Sequence, residues 1–250
     1  MQYMGGKTRI AKRIAAAILD NSESRKYYLE PFVGSCSVFK EIAPNFEVSA
    51  AGDAQPDLIM MWNALVFEGW EPPEHLSHEE WIELRDLSPS PLRAFAGFNC
   101  SYAGRFFEGY ARDRTGKTNF ASKGRRGLLR DVEAIRRANV GAFENWTYDK
   151  WAPLPGTVIY CDPPYPGTKP YSSKRSGIPQ FDHERFWAKV REWERNGCEV
   201  FVSEYTAPDD FQAVYEVEKV QSTKRPEQGR DKVTERLFRW TGLNGRGSDD

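Results

Sequence analysis

A chain of 250 residues with a formal net charge of −1, 40% hydrophobic and 28% charged residues has the make-up of a globular protein able to bury one large core, not of a disordered one. No run approaches the roughly 18 consecutive apolar residues of a membrane span, which excludes a helical membrane protein. The near-neutral balance is not that of a generic nucleic-acid binder, so any such surface has to be local.

The N-terminal Met-Gln-Tyr-Met-Gly-Gly-Lys lacks the charged-then-apolar layout of a secretory signal, and a cytoplasmic protein is expected. A first helix is predicted to follow Gly5-Gly6, with Ile10, Ile14, Ala17 and Ile18 on one face. Tyr27-Tyr28-Leu29 reads as a strand entering Glu30-Pro31-Phe32-Val33-Gly34, and a helix is predicted to begin near Ser35. Residues 46–51 form a second strand ending at Gly52-Asp53, and a helix follows from Pro56.

Beyond Gly69 the pattern changes. Glu71-Pro72-Pro73 is a linker, and Ser77 with Glu80 makes a capping box for a short helix that Ser88-Pro89-Ser90-Pro91 breaks. Residues 95–120 are rich in glycine, aromatics and arginine without a clear period, which marks them as functional or disordered. A helical face returns with Leu128, Val132 and Ile135. Strands are predicted at 140–143, 157–161 and 198–203, a helix from Asp182 to Gly197, and a closing antiparallel pair at 211–220 and 233–240.

Alternating strands and helices give an open α/β sheet carrying an insert. The expected division is core at 1–72, insert at 73–137, core again at 138–241 and a flexible tail at 242–250. Cys36, Cys100, Cys161 and Cys198 lack C-x-x-C spacing, so neither zinc nor disulfides are expected; His75, His78 and His183 read as exposed helix-terminal residues.

Three motifs carry chemistry. In Glu30-Pro31-Phe32-Val33-Gly34-Ser35-Cys36-Ser37, a strand turns into a helix, and Gly34 lets backbone approach a ligand. Asp53 closes the next strand, where an acid can accept ribose hydroxyls, or simply cap a helix. Asp162-Pro163-Pro164-Tyr165 follows a very apolar strand; its two prolines remove two N–H donors and fix the backbone. A carboxylate beside a fixed carbonyl can accept both hydrogens of an aromatic amine, and Tyr165 offers a ring on which an extruded base stacks. Tyr3-Met4-Gly5-Gly6-Lys7 combines helix-proximal glycines with a cation and suits a carboxylate, or is a solvated leader.

The order Y-x-G-G-K, E-P-F-x-G, D-P-P-Y resembles the Dam-type (alpha-group) DNA adenine-N6 methyltransferases, notably phage-encoded ones, from Tyr3 to about Tyr205. The resemblance implies a Rossmann-like class I methyltransferase sheet with an antiparallel C-terminal hairpin and an inserted target-recognition subdomain. It further implies S-adenosyl-L-methionine as methyl donor and double-stranded DNA, methylated by base flipping, as substrate. No metal or membrane is expected to take part, a monomer is expected with a dimer as the alternative, and restriction-modification in a bacterial or phage-infected host is the expected context. Asp162, Pro163 and Tyr165 are the expected catalytic residues. Tyr3, Gly5, Gly6, Lys7, Glu30, Phe32, Gly34, Cys36, Asp53, Asn145, Trp146 and Asp162 are expected around the donor, with Tyr3 and Lys7 at its methionine end. Two departures stand out. Cys36 replaces the second loop glycine, which is expected to seat the backbone differently, and Asn145-Trp146 stands where the family often has an acid.

The bases between residues 105 and 137 outnumber the acids, which makes this stretch the expected DNA surface. Asn99, Tyr102, Arg105, Arg112, Lys117, Asn119, Lys123, Arg125 and Arg126 are the candidate contacts, and Ser172-Ser173-Lys174-Arg175 a further one. The rival readings are a cytosine-N4 methyltransferase and a catalytically silent nucleic-acid-binding module. A dinucleotide oxidoreductase is disfavoured because G-x-G-x-x-G is absent.

Overall fold

The computed structural model describes residues 1, 3–166, 180–220 and 232–242. Seven strands, β1 (Tyr27–Glu30), β2 (Val48–Gly52), β3 (Val140–Glu144), β4 (Thr157–Cys161), β5 (Glu199–Glu204), β6 (Phe211–Val220) and β7 (Lys232–Trp240), form one sheet in the order β3-β2-β1-β4-β5-β7-β6. The first five are parallel, with Leu29 paired to both Ala50 and Ile159, and Tyr160 to Phe201. β7 enters antiparallel beside β5, Val202 facing Phe238, and β6 closes the edge antiparallel to β7.

Strand side chains alternate between two helical layers, as the two-residue period demands. Tyr28, Val158, Tyr160, Phe201 and Leu237 join the core under α1 (Ala11–Asp20) and α3 (Pro56–Val66). Leu29, Ile159, Cys161, Val200, Val202 and Phe238 join Phe186, Val190 and Trp193 of α7 (His183–Arg195) on the other face. Every residue of β4 is buried, which explains its unbroken apolar run.

Local chemistry sets the helix ends. Asn21 and Ser22 stop α1 by donating to the carbonyls of Ala17 and Ile18, and α3 starts with Pro56, whose missing N–H costs nothing there. The capping box of α4 (His78–Arg85) is present in both directions. Asp182 caps α7 by accepting from the Arg185 amide, and Gly197 at φ 83° follows its end.

Two helix starts differ from expectation. Residues after Gly5-Gly6 first make turns, and α1 begins only at Ala11. The helix expected near Ser35 begins at Phe39 as the short α2 (Phe39–Ile42), because Gly34 and Cys36 take left-handed backbone at φ 46° and 52°.

The aperiodic stretch is ordered. Ser90 and Pro91, read as breakers, are the N-cap and first residue of α5 (Pro91–Asn99), whose residues from Arg93 to Asn99 are all buried. Nine residues span too few turns to set a clear period in a sequence, hence its invisibility there. Phe95, Phe98, Phe106 and Phe107 share one core with α1, α3 and the Leu128, Val132 and Ile135 face of α6 (Phe120–Ile135), so the insert and the sheet are packed as a unit. Asp57 of α3 cements it, accepting from the Ser90 amide and pairing with the buried Arg93 guanidinium at 2.5 Å.

All four cysteines are free and buried. Among the described residues no helix is long and apolar enough to cross a membrane, and no group of three or more His, Cys, Asp or Glu is placed to hold a metal ion. Residues 172–175 and the tail beyond 242 lie outside the described residues.

Candidate active site

Parallel strands deliver their loops to one edge, and β1, β2, β4 and β5 end there in Glu30, Gly52-Asp53, Cys161-Asp162 and Glu204. The glycine loop and the acid of β2 are bonded to one another: the Gly34 amide donates to Asp53 Oδ2 at 3.0 Å, and the Gln55 amide to Oδ1 at 2.9 Å. Burial pushes the Asp53 carboxyl up to about 6 against those two bonds. The ring of Tyr3 lies over Gly34 so closely that a Cβ there would meet it at 3.1 Å. Gly6 packs likewise against Ser35 Oγ, 3.3 Å from the position of a Cβ. The first and second motifs in the chain are thus one surface, although 20 or more residues separate them.

Cys36 sits two residues after Gly34 in the same turn. It adopts the left-handed conformation that a glycine would take, at a cost on the order of 1 kcal/mol, while its side chain is fully buried. Glu30 is also buried, accepting a hydrogen bond from the Tyr28 hydroxyl at 2.9 Å, and burial holds it well above the usual carboxylate range. Phe32 stacks on Tyr148, Asn145 donates to the Asp53 carbonyl at 2.9 Å, and Trp146, 38% exposed, packs edge-on against Trp151.

The third motif meets the first at Lys7. Its ammonium, almost wholly buried, donates to Asp162 Oδ1 and Oδ2 at 2.6 and 2.7 Å and lies 3.1 Å from Glu235 Oε1. The same Glu235 oxygen accepts from the Tyr165 hydroxyl at 2.5 Å, and Lys7 Nζ sits 4.8 Å above the Tyr165 ring. Burial works against the Lys7 charge, but the two carboxylates outweigh it and raise its pKa. Lys7 was expected to face the carboxylate of a ligand; here its partners are two protein carboxylates, and one of them is the clamp of D-P-P-Y itself. Pro163 is buried directly behind Asp162, and Tyr165 packs edge-on against Tyr205.

Glu204 and Glu235 were not anticipated from the sequence, although both left a mark in it. Glu204 ends a buried parallel strand as Asp162 follows β4, and Glu235 sits in phase with the core residue Leu237. An acid where alternation calls for an apolar side chain is the signal. Both are 2% exposed. Burial above all, with Asp162 and Glu235 nearby, pushes the Glu204 carboxyl from 4.5 up to about 7.

A carboxyl raised on folding binds more protons in the native state, so its contribution is full below pH 4.5 and is lost as pH rises through about 7. Relative to Glu204→Gln, the wild type is therefore expected to lose about 2 kcal/mol of stability between roughly pH 5 and pH 8. Urea titrations of both proteins at the two pH values measure this, and parallel curves would refute it.

The candidate DNA residues fall into two groups. Tyr102, Arg112, Lys117, Lys123 and Arg126 are exposed, with Arg112 stacked on Tyr110 and bonded to His78. Lys123 and Arg126 line a shallow groove of about 450 Å³ on α6 together with Arg130 and Glu133. The others have structural work. Asn119 caps α6 through the Ser122 amide and donates to the Glu74 carbonyl. Arg125 binds Glu71 and the Pro72 carbonyl, and Arg105 faces Glu108. Asn99 is only 2% exposed and packs beneath α6 at Gly124, which removes it from the surface where a base contact was expected.

Five parallel strands and an antiparallel β7 slotted between β5 and β6, with acids and glycines gathered on the carboxyl edge, make this the Rossmann-like sheet with an antiparallel C-terminal hairpin that the resemblance implied. Residues 3–84 match the model of the family described as D12 class N6 adenine-specific DNA methyltransferase, so the resemblance to Dam-type adenine methyltransferases holds over the part of the chain carrying Y-x-G-G-K and E-P-F-x-G. No curated protein matches the chain significantly. Among solved structures, a protein from Escherichia coli described as a methyltransferase is 11% identical, with 94% of this chain and 86% of that one covered at a TM-score of 0.40. One from Pyrococcus horikoshii described as an RNA methyltransferase is 7% identical, covering 93% and 83% at 0.40.

Proposed function

We propose that the protein is a site-specific DNA methyltransferase that uses S-adenosylmethionine to methylate adenine N6 in double-stranded DNA. The observation that carries this reading is the meeting of Lys7 and Asp162. The N-terminal motif, inside the matched family segment, holds in place the carboxylate of D-P-P-Y, outside it.

The chain's residues fit the donor. Gly34 gives its Cβ space to the Tyr3 ring and its amide to Asp53, so the glycine seats the N-terminal motif on the loop and Asp53 is the acid left to face a ribose. Asp53 and Asp162, at the ends of the two strands that flank β1, are the acids that suit a cationic ligand. S-adenosylmethionine, when bound, supplies an electrophilic methyl group on a sulfonium.

The difficulty then lies in the acceptor, an arylamine whose lone pair is delocalised into the ring. Asp162 and the Pro163 carbonyl, on a backbone made rigid by consecutive prolines, accept its two hydrogens and turn the lone pair toward the methyl. Tyr165 supports the extruded base, whose unstacking costs a few kcal/mol, and much of the acceleration comes from this positioning. The exposed cations Arg112, Lys117, Lys123 and Arg126 are the proposed phosphate contacts, giving salt-dependent affinity.

Incubation of the protein with donor and unmodified duplex DNA, followed by mass analysis of the nucleosides, tests the reading. N6-methyladenine is expected. N4-methylcytosine alone would transfer the mechanism to cytosine, and binding without any methylated base would leave the silent module.

A further inference from the structure

We propose that Glu235 is a positioning residue for this reaction, setting the charge and orientation of the Asp162 clamp through Lys7 and Tyr165. The inference rests on the methyltransferase reading above and names a residue that none of the sequence motifs contains.

The geometry is specific. Glu235 lies on β7, just beyond the point where Glu204 at the end of β5 pairs with Arg236. From there its Oε1 receives the Tyr165 hydroxyl at 2.5 Å and faces the Lys7 ammonium at 3.1 Å, while Lys7 holds both oxygens of Asp162. Two separate stretches of chain, the N-terminal motif and D-P-P-Y, therefore converge on one carboxylate that is 2% exposed.

Charge arithmetic says what that carboxylate does. Lys7 with Asp162 alone would be a neutral pair, and the full ammonium charge would compete with an amine for the Asp162 oxygens. With Glu235 present, one ammonium faces two carboxylates and the cluster is net negative. In the reaction the amine lone pair forms the new N–C bond, the C–S pair stays with sulfur, and the surplus proton on nitrogen passes to water. One positive charge thus moves from sulfur to the base nitrogen. A buried net negative cluster on the nitrogen side favours that movement more than it favours the bound reactants, which is the condition for lowering the barrier. By accepting the Tyr165 hydroxyl, Glu235 also sets the tilt of the ring under the extruded base.

The test compares wild type, Glu235→Gln and Glu235→Asp in steady-state methylation of duplex DNA with S-adenosylmethionine. Gln keeps the shape and loses the charge. Its kcat is expected to fall on the order of tenfold to a hundredfold, while KM for donor and DNA stays within about twofold. Asp keeps the charge and is expected to stay within about threefold of wild type. A wild-type kcat in the Gln variant, or a loss confined to KM, overturns the inference. If the Gln variant does not fold, Glu235→Met, which also removes the charge at similar volume, decides in its place: a kcat lowered at least about tenfold with KM within about twofold supports the role, and a smaller loss overturns it. A wild type that methylates no base would instead sink the parent reading, so the two failures are distinguishable.

Discussion

Asp162→Ala is expected to lower the rate of methyl transfer by about a hundredfold to a thousandfold while the protein still folds and still binds DNA. The folding half of this statement follows from Lys7, which in the variant keeps its ion pair with Glu235 and is not left buried without a partner. The catalytic half follows from what the side chain supplies. Without the carboxylate, one amine hydrogen loses its acceptor and the charge growing on nitrogen loses its nearest counter-charge. Asp162→Asn, which keeps one acceptor oxygen and gives up the charge, is expected to fall between alanine and wild type. Single-turnover methylation at saturating donor measures the transfer step, and a gel-shift titration measures binding. An alanine variant with undiminished single-turnover rate would remove Asp162 from the mechanism altogether.

The second large effect is on stability. Lys7→Met preserves the volume of the stem and removes the cation from between Asp162 and Glu235. Breaking a buried ion pair by deleting one partner costs about 3–5 kcal/mol, since the surviving charge stays desolvated, and here two carboxylates survive. The pH dependence has a definite sign. In the variant those carboxylates acquire folded values above their unfolded ones, so the native state gains protons and the deficit is greatest above the carboxylate range, at about pH 7 and higher. It shrinks as pH falls toward about 4. Urea unfolding of wild type and variant at neutral pH and near pH 5 tests both size and sign. A difference below about 1 kcal/mol at neutral pH would mean that the cluster is hydrated enough to dispense with its lysine.

The way the site is assembled explains why these two substitutions differ in kind. Asp162 and Pro163 belong to a rigid turn after β4 whose shape is local, set by two prolines and a buried strand. Lys7 belongs to a segment of turns ahead of α1, held to the edge of the sheet by Gly6 against Ser35, by Thr8 bonded to Ser37 and by its own two carboxylates. Removing the acid leaves the scaffold in place; removing the lysine takes away part of the scaffold.

Much was legible in the chain itself. Each of the seven strands was visible as an apolar or alternating run, because a strand in a sheet covered on both faces must be apolar throughout, and one at an edge must alternate. The caps of α4 and α7 were visible because Ser77, Glu80 and Asp182 act within three residues of their own positions. Motif order was sufficient to indicate a methyltransferase. Three things were not legible. The helix α5 is too short to show a clear period, and the two residues that start it, Ser90 and Pro91, serve equally well as breakers. The late starts of α1 and α2 depend on backbone conformation at Gly34 and Cys36 and on packing of Gly6 beneath Tyr3, none of which is a local preference. And Asn99, chosen for its amide among arginines and aromatics, is carried inward by that same buried helix.

What the sequence determined by itself was the inventory: strand periodicity, local caps, and the residues at strand ends where such sheets bind ligands. Only the tertiary structure decided the partnerships, joining Lys7 to Asp162 across 155 positions and bringing Glu235 to both. The physical reason is one of range. Propensity, capping and proline stiffness act over a few residues and are written in order along the chain. The worth of a buried charge depends on which opposite charge the fold brings within about 3–4 Å, and that distance exists only once the sheet has closed.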